Sequence, residues 1–196
     1  MGYTAAMQNA PRQTSEPADW LRGAAERMAR GVRDRHSPWR LFALATIGDD
    51  GPEARTVALR GLERDTMTVE FWTDRRSFKV VTLDRGAAAL FWDPRWHVQL
   101  RLAGTVEVSG TDDGATARLF DGLSDEAVRN YATLSGPGSL PGTHDADERG
   151  ERTLARDNFL RCRIVPERGD LVHLGRERHS RFRYRFDPFA AVEVVP

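Results

Sequence analysis

Apolar positions recur at helical spacing from Ser15 to Asp34, where Trp20, Leu21, Ala24, Ala25, Met28 and Val32 fall on one face. Ser15 is a candidate cap and Pro17 is tolerated in the first turn. After Pro38 the period changes to two. Arg40 to Ile47 reads as a strand closed by the turn Gly48-Asp49-Asp50-Gly51, and a second strand runs from about Glu53 to Gly61. A turn at Glu63-Arg64-Asp65 precedes a third strand, Thr66 to Thr73. Asp74 to Gly86 predicts a short helix with Phe78, Val81 and Thr82 turned inward, followed by the fully apolar strand Ala87 to Trp92. His97 to Ser109 is a long strand of strict alternation, with Val98, Leu100 and Leu102 on one face and His97, Gln99 and Arg101 on the other.

Two helices are expected next, Asp112 to Gly122 and Ser124 to Leu134, the latter capped by Ser124 with Ala127 where a capping box would place an acid. The Gly/Pro-rich stretch Ser135 to Gly142 runs into the acidic His144 to Glu148 and reads as a long loop, of the kind that is functional or disordered. A helix near Glu151 to Leu160 leads to strands around Cys162 to Val165, Asp170 to Leu174, Ser180 to Phe186 and Ala190 to Val195. The pattern predicts about eight strands in mainly antiparallel order: a mainly β (α+β) fold, a β-barrel with peripheral helices. Residues 15–196 form its single domain behind a loose tail, residues 1–14.

The 29 basic and 29 acidic residues among 196 cancel, so the bulk field attracts neither nucleic acid nor an anionic membrane, and any anion site must be a local basic cluster. The longest apolar run, Ala87 to Trp92, is far short of the ~20 residues of a spanning helix. The first ten residues have no basic segment followed by an apolar one, which points to a cytoplasmic protein. Cys162, the single cysteine, reads as a buried, bland thiol. Lys79 is the only lysine beside 28 arginines, which marks a position where a compact ammonium, rather than a planar fork, is a candidate need.

Three constellations could carry chemistry. In Arg55-Thr56-Val57-Ala58-Leu59-Arg60, alternation starts the two guanidiniums on opposite faces, and solvated cations at the strand ends are the plainer reading. In Phe71-Trp72-Thr73-Asp74-Arg75-Arg76-Ser77-Phe78-Lys79, a strand end and turn open a helix whose start, with Ser77 and Lys79, could take a phosphate; an ordinary capped helix is equally compatible. In Arg181-Phe182-Arg183-Tyr184-Arg185-Phe186, aromatics alternate with arginines that line an anionic site or, more simply, guard an edge strand. Elbow, phosphate-loop, zinc-helix and dinucleotide signatures are missing, and His36, His97, His144, His173 and His179 show no metal-ligand spacing.

The first two motifs in order, followed by Gln99 on the strand that reaches Gly104, resemble the FMN-binding split barrel of the pyridoxamine 5′-phosphate oxidase family. The likeness fades between Gly110 and Leu160 and returns at Arg181-Phe182. It implies a homodimer with FMN at its interface. Arg55 and Lys79, with Thr73 and Ser77, would hold the phosphate and ribityl chain, beside Trp72 of the same motif; Thr56, Val57 and Ala58 would line the cofactor, the last two through backbone. Arg60 would sit near the ring or substrate, Gln99 and Arg181 would contact the flavin, and His179 resembles a substrate-contacting position, which makes Arg60 and His179 the catalytic candidates.

The chain departs from the family at Phe78, where arginine is usual, at Arg60, where lysine is usual, and at His173, aligned with a flavin-contacting tryptophan. Leu119 and Leu123 stand nearest the family's substrate-phosphate residues. The resemblance is therefore closer to divergent bacterial FMN-binding members than to the vitamin B6 enzyme. The expected function is an FMN-dependent oxidoreductase that moves a hydride from a small substrate to FMN, with oxygen or another acceptor downstream. The alternatives are a non-catalytic flavin- or haem-binding stress protein and a deazaflavin-dependent reductase on the same fold.

Overall fold

A computed structural model describes residues 16–140 and 148–196. The tail 1–14, the candidate cap Ser15, and His144 with most of the acidic run lie outside the described residues. Helix α1, Pro17–Arg33, starts instead at Glu16, which makes no side-chain capping bond, and buries Trp20, Ala24, Ala25, Met28 and Gly31 against the sheet. Tyr184 ties the helix start to the sheet by donating to the Pro17 carbonyl at 2.8 Å. At its other end, Arg40 Nη1 donates to the carbonyls of Val32 and Leu59 at 2.9 and 3.1 Å.

Nine strands follow: β1 Leu41–Gly48, β2 Gly51–Ala58, β3 Gly61–Glu63, β4 Thr68–Asp74, β5 Ala87–Asp93, β6 Val98–Ser109, β7 Phe159–Leu174, β8 His179–Phe186 and β9 Phe189–Val194. Every pairing is antiparallel, in the order β2-β1-β5-β6-β7-β4-β3, with β8 and β9 continuing from β7. The path does not close: β7 is long enough to serve β4 with its first half and β8 with its second while pairing β6 throughout, which splits the barrel. Phe42, Leu44, Phe71, Phe91, Leu100, Leu102, Leu171 and Phe182 fill its interior. The alternation expected for β6 is present, with Val98, Leu100 and Leu102 buried and Arg101 exposed.

Several expectations need correction. The segment read as a helix over 74–86 is the end of β4, a turn, and a 3₁₀ helix Phe78–Arg85. A three-residue period eclipses positions i and i+3. Phe78, Val81 and Asp84 therefore share an exposed ridge, and only Thr82 of the expected inward set is buried, joined by Leu83. The second strand ends at Ala58, where Leu59 enters the core, and Gly61–Glu63 is a separate short strand that leads into the expected turn, which begins at Arg64 rather than at Glu63. The helix expected over 124–134 is a single turn, Asp125–Arg129, capped by Ser124. The two strands expected over 162–174 are one, because Pro166 is accommodated at a register shift opposite Ala103 and Gly104. Finally, β8 is interior, flanked by β7 and β9, so its arginines do not guard an edge.

The short helices α2 Gly114–Asp121, α3 Asp125–Arg129 and α4 Arg152–Asn158 form a second apolar cluster around Phe120, Tyr131 and Phe159, with Trp72 packed against it from the sheet. Cys162 is buried between the strands, and burial pushes its thiol up to about 12, as expected of an inert side chain.

Candidate functional site

The sequence-predicted residues fall into three groups. The first gathers where β4 runs into the 3₁₀ helix. Thr73 faces the barrel interior beside Phe71. Ser77 stands at the helix start, yet its side chain makes no capping bond. Instead Lys79 reaches back, its Nζ donating to Thr73 Oγ1 at 2.9 Å and to Ser77 Oγ at 2.6 Å. No carboxylate among the described residues forms an ion pair with this ammonium. Burial holds its pKa below the ordinary lysine value, and the Arg55 guanidinium nearby lowers it further.

Arg55 shares the inner face of β2 with Val57 and Glu53, opposite Leu44, Phe42 and Thr46. Its guanidinium is aimed by Thr46 Oγ1, 2.6 Å from Nη1, and by the Glu53 carboxylate at Nη2. Thr46 and Glu53 were not singled out in the sequence. The usable signal was Glu53 two residues before Arg55 on one strand face; Thr46 needed the register of the hairpin. Together the group presents an ammonium, a guanidinium and two hydroxyls, a donor set suited to a phosphate monoester.

The second group lies on the outer face of the sheet. Directly paired residues share a face. Trp92, Gln99, Val172 and Arg181 thus make one row across β5, β6, β7 and β8. Arg181 is fixed by buried Asp170, which accepts from Nε at 3.0 Å and from Nη2 at 2.8 Å. His179, two residues earlier on β8, shares that face and is exposed. His173 does not: its ring packs against Trp20 of α1, with centroids 4.9 Å apart, on the core side. Val172 stands between Gln99 and Arg181, so His173, aligned with the family's flavin-contacting tryptophan, is not on the face that bears those two residues. Thr56 and Ala58 also face outward, opposite Ala43 and Leu41.

The third group is apart from both. Arg60, in the link between β2 and β3, lies over the Trp72 ring, 4.8 Å from its centroid. Trp72 Nε1 donates to Glu70, which also receives both Arg161 Nε and Nη2, at 2.8 and 2.6 Å. The Tyr131 hydroxyl packs nearby; burial pushes it up to about 12, with the positive charge of Arg60 opposing. Trp72 and Thr73, adjacent on β4, project to opposite faces, so the Trp72 ring is not beside Lys79. Within one chain, no hydrogen bond or ion pair among the described residues connects the three groups.

Residues 18–110 match the model of the pyridoxamine 5′-phosphate oxidase FMN-binding domain. The fold is similar to that of a pyridoxamine 5′-phosphate oxidase-related, FMN binding protein from Nostoc punctiforme, at 25% identity and TM-score 0.74, covering 90% of this chain and 97% of that one. PhzG from Burkholderia lata, solved with tetrahydrophenazine-1-carboxylic acid, aligns at 22% identity and TM-score 0.68 over 94% of each chain. A Clostridium acetobutylicum protein related to general stress protein 26 aligns at 14% identity and TM-score 0.57, over 86% of this chain and 96% of the other. The last two show the shared fold alone. No curated protein matches the chain. The matched domain ends where the middle helices begin; over residues 18–110 the chain is similar to the pyridoxamine 5′-phosphate oxidase FMN-binding domain, and the split-barrel architecture is the fold of its structural neighbours.

Proposed function

We propose that the protein is an FMN-dependent oxidoreductase that works as a homodimer, each cofactor site being shared by two copies. The observation that carries this reading is Lys79, a half-buried ammonium held between two hydroxyls beside a second cation, with no ion-paired carboxylate among the described residues. Burying such a charge costs stability unless an anion completes it. Lys79, Ser77, Thr73 and Arg55 would hold the FMN phosphate and the adjoining ribityl oxygens. Bound FMN would supply the hydride acceptor, taking a hydride from a small substrate and passing electrons to oxygen or another acceptor.

Gln99 and Arg181 project from the other face of the sheet, so their contact to the same flavin requires a second copy. The outer face of β2, β1 and β5 is suited to meet one. Ala43, Ala45, Ala54, Ala58 and Ala88 keep it flat, while Leu41, Leu90 and Trp92 stay 52%, 36% and 42% exposed on it. In this arrangement Arg181 would be presented to the ring already oriented by Asp170, and His179 on the same face is the candidate substrate-side group. Arg60, stacked on Trp72, would act at the rim of the substrate space.

Mixed dimers test the sharing. Lys79→Ala and the double variant Gln99→Ala/Arg181→Ala should each lose FMN alone, whereas co-purified hybrids should recover up to half of the wild-type flavin content, because one of the two sites is then intact. Hybrids that stay colourless would contradict a shared site. Turnover is read separately: anaerobic bleaching of the flavin by a small amine substrate, beginning with pyridoxamine phosphate, and its recovery on admitting oxygen. A flavin that stays oxidised with every such substrate would favour a non-catalytic binding protein.

The depressed Lys79 pKa has a signed consequence. In the free protein the folded state disfavours the ammonium, so this group's contribution to stability declines as pH falls through the window between the ordinary lysine value and the depressed one. A bound phosphate favours the charged form. FMN affinity should therefore fall as pH rises through the depressed Lys79 pKa, with proton uptake on binding in that window. A flat alkaline affinity profile by fluorescence titration would contradict the assignment.

A further inference from the structure

We propose that the arginine-bearing outer face of β6, β7 and β8 binds a small oligoanion, a ligand carrying two or more phosphate or carboxylate groups. Strand register brings Arg101, Asp170 and Arg183 into one row and sets Arg168 directly opposite Arg185 in the next. Arg181 completes the face on β8. Asp170 is the carboxylate within this set, and its oxygens are shared by Arg181 at 2.8 and 3.0 Å, Arg101 at 3.3 Å and, more distantly, Arg183 at 3.9 Å. Arg168 and Arg185 are exposed and form no ion pair among the described residues.

Like charges directly opposed across two strands are destabilising. Exposed Arg85 and Arg178 each meet a carboxylate, 2.6 Å from Asp49 and Glu193, while others such as Arg64, Arg95 and Arg118 stand exposed without an ion pair among the described residues; what sets Arg168 and Arg185 apart is that strand register holds two such cations directly opposite each other. The edge-guarding explanation does not apply, because β9 covers the far side of β8. Nor does a general positive field, since the chain has 29 residues of each sign. What the face gains from an uncompensated Arg168/Arg185 pair is a place for an anion. Successive arginines along β8 stand about 7 Å apart, with strands about 5 Å apart, so several guanidiniums can reach one compact ligand. Their planar forks match phosphate and carboxylate oxygens.

Tripolyphosphate is the probe, titrated calorimetrically into the full chain at low ionic strength. Wild type and Lys79→Ala should bind it comparably, while Arg168→Ala/Arg185→Ala should bind at least tenfold more weakly. The probe should raise the unfolding midpoint of wild type more than that of the double variant, whose unliganded midpoint should be no lower than wild type because the opposed charges are gone. Absence of binding to wild type, equal binding by the double variant, or loss of binding in Lys79→Ala alone would overturn the proposal. So would a single-stranded oligonucleotide that binds through Arg168 and Arg185 when tripolyphosphate does not, which would indicate a macromolecular partner. A dimer that dissociates in the double variant, without probe binding to wild type, would indicate a protein interface. Flavin retention followed in parallel tests the cofactor reading independently, since neither Arg168 nor Arg185 is assigned to it.

Discussion

Lys79→Ala should weaken FMN binding at least 100-fold while leaving the fold intact. The ammonium contributes charge-assisted hydrogen bonds to a phosphate from a half-buried position, and such bonds contribute about 1.5–3 kcal/mol each. A loss of about 2.7 kcal/mol is 100-fold. Folding should survive because the bonds lost within the protein are to the hydroxyls of Thr73 and Ser77, and the removed charge forms no ion pair among the described residues. Lys79→Arg should rescue little. The two hydroxyl oxygens lie 2.9 and 2.6 Å from one nitrogen, a geometry for a compact ammonium into which a planar guanidinium does not fit without displacing Ser77 or Thr73. Fluorescence titration with FMN, alongside circular dichroism, measures both halves. Undiminished affinity in a folded Lys79→Ala protein would remove the phosphate assignment.

Gly104→Ala should be the most damaging single-methyl change. A Cβ at this position would lie 2.0 Å from the Val165 carbonyl oxygen, 2.8 Å from Glu167 N and 2.9 Å from Pro166 Cα, all main-chain or ring-anchored atoms that cannot swing away. Here Ala103 pairs Arg168 while Gly104 pairs Pro166, so Glu167 is the extra residue of a bulge. Overpacking against backbone should cost more than about 3 kcal/mol, a fall of roughly 6–12 °C in midpoint for a chain of this size. Relief by a one-residue slip is closed, because it would turn Leu100 and Leu102 outward and Gln99 into the core. Gly114→Ala is the control: its nearest neighbour is the flexible Arg118 side chain at 3.6 Å, and its midpoint should not fall. A Gly104→Ala protein as stable as the control would contradict the close approach of β6 and β7.

The parts of this architecture that depend on period were legible in the sequence. The α1 stripe, the strict alternation of β6 and the aromatic face of β8 each follow from a local repeat, and each turns to the core, with Leu21, Val32 and Phe186 half-buried at its margin. What depends on pairing was not. Phe78 and Val81 look inward on an α-helical wheel, but the three-residue turn after the Asp74-Arg76 ion pair puts both on the outside. Pro166 looks like a strand boundary, yet a bulge lets β7 continue through it. Arg183 and Arg185 look like edge protection until β9 is found beyond them.

The candidate site divides the same way. Thr73, Ser77 and Lys79 lie within seven residues, so a strand end and a turn suffice to bring them together. Arg55 joins them through the barrel, aimed by Thr46 from the neighbouring strand. Asp170 and Arg181 meet only through the β7 and β8 register. That same register puts His173 on the core side, where it lies against Trp20, while Val172 pairs with Gln99 on the outer face.

The central claim is a phosphate-anchored flavin shared between two copies, and gel filtration with light scattering and simultaneous visible absorbance tests it most directly. Protein equilibrated with FMN and freed of excess should elute at the mass of a dimer, carrying the absorbance bands of oxidised flavin at one per chain. Elution of a colourless protein, or of a monomer that retains its flavin, would contradict the account.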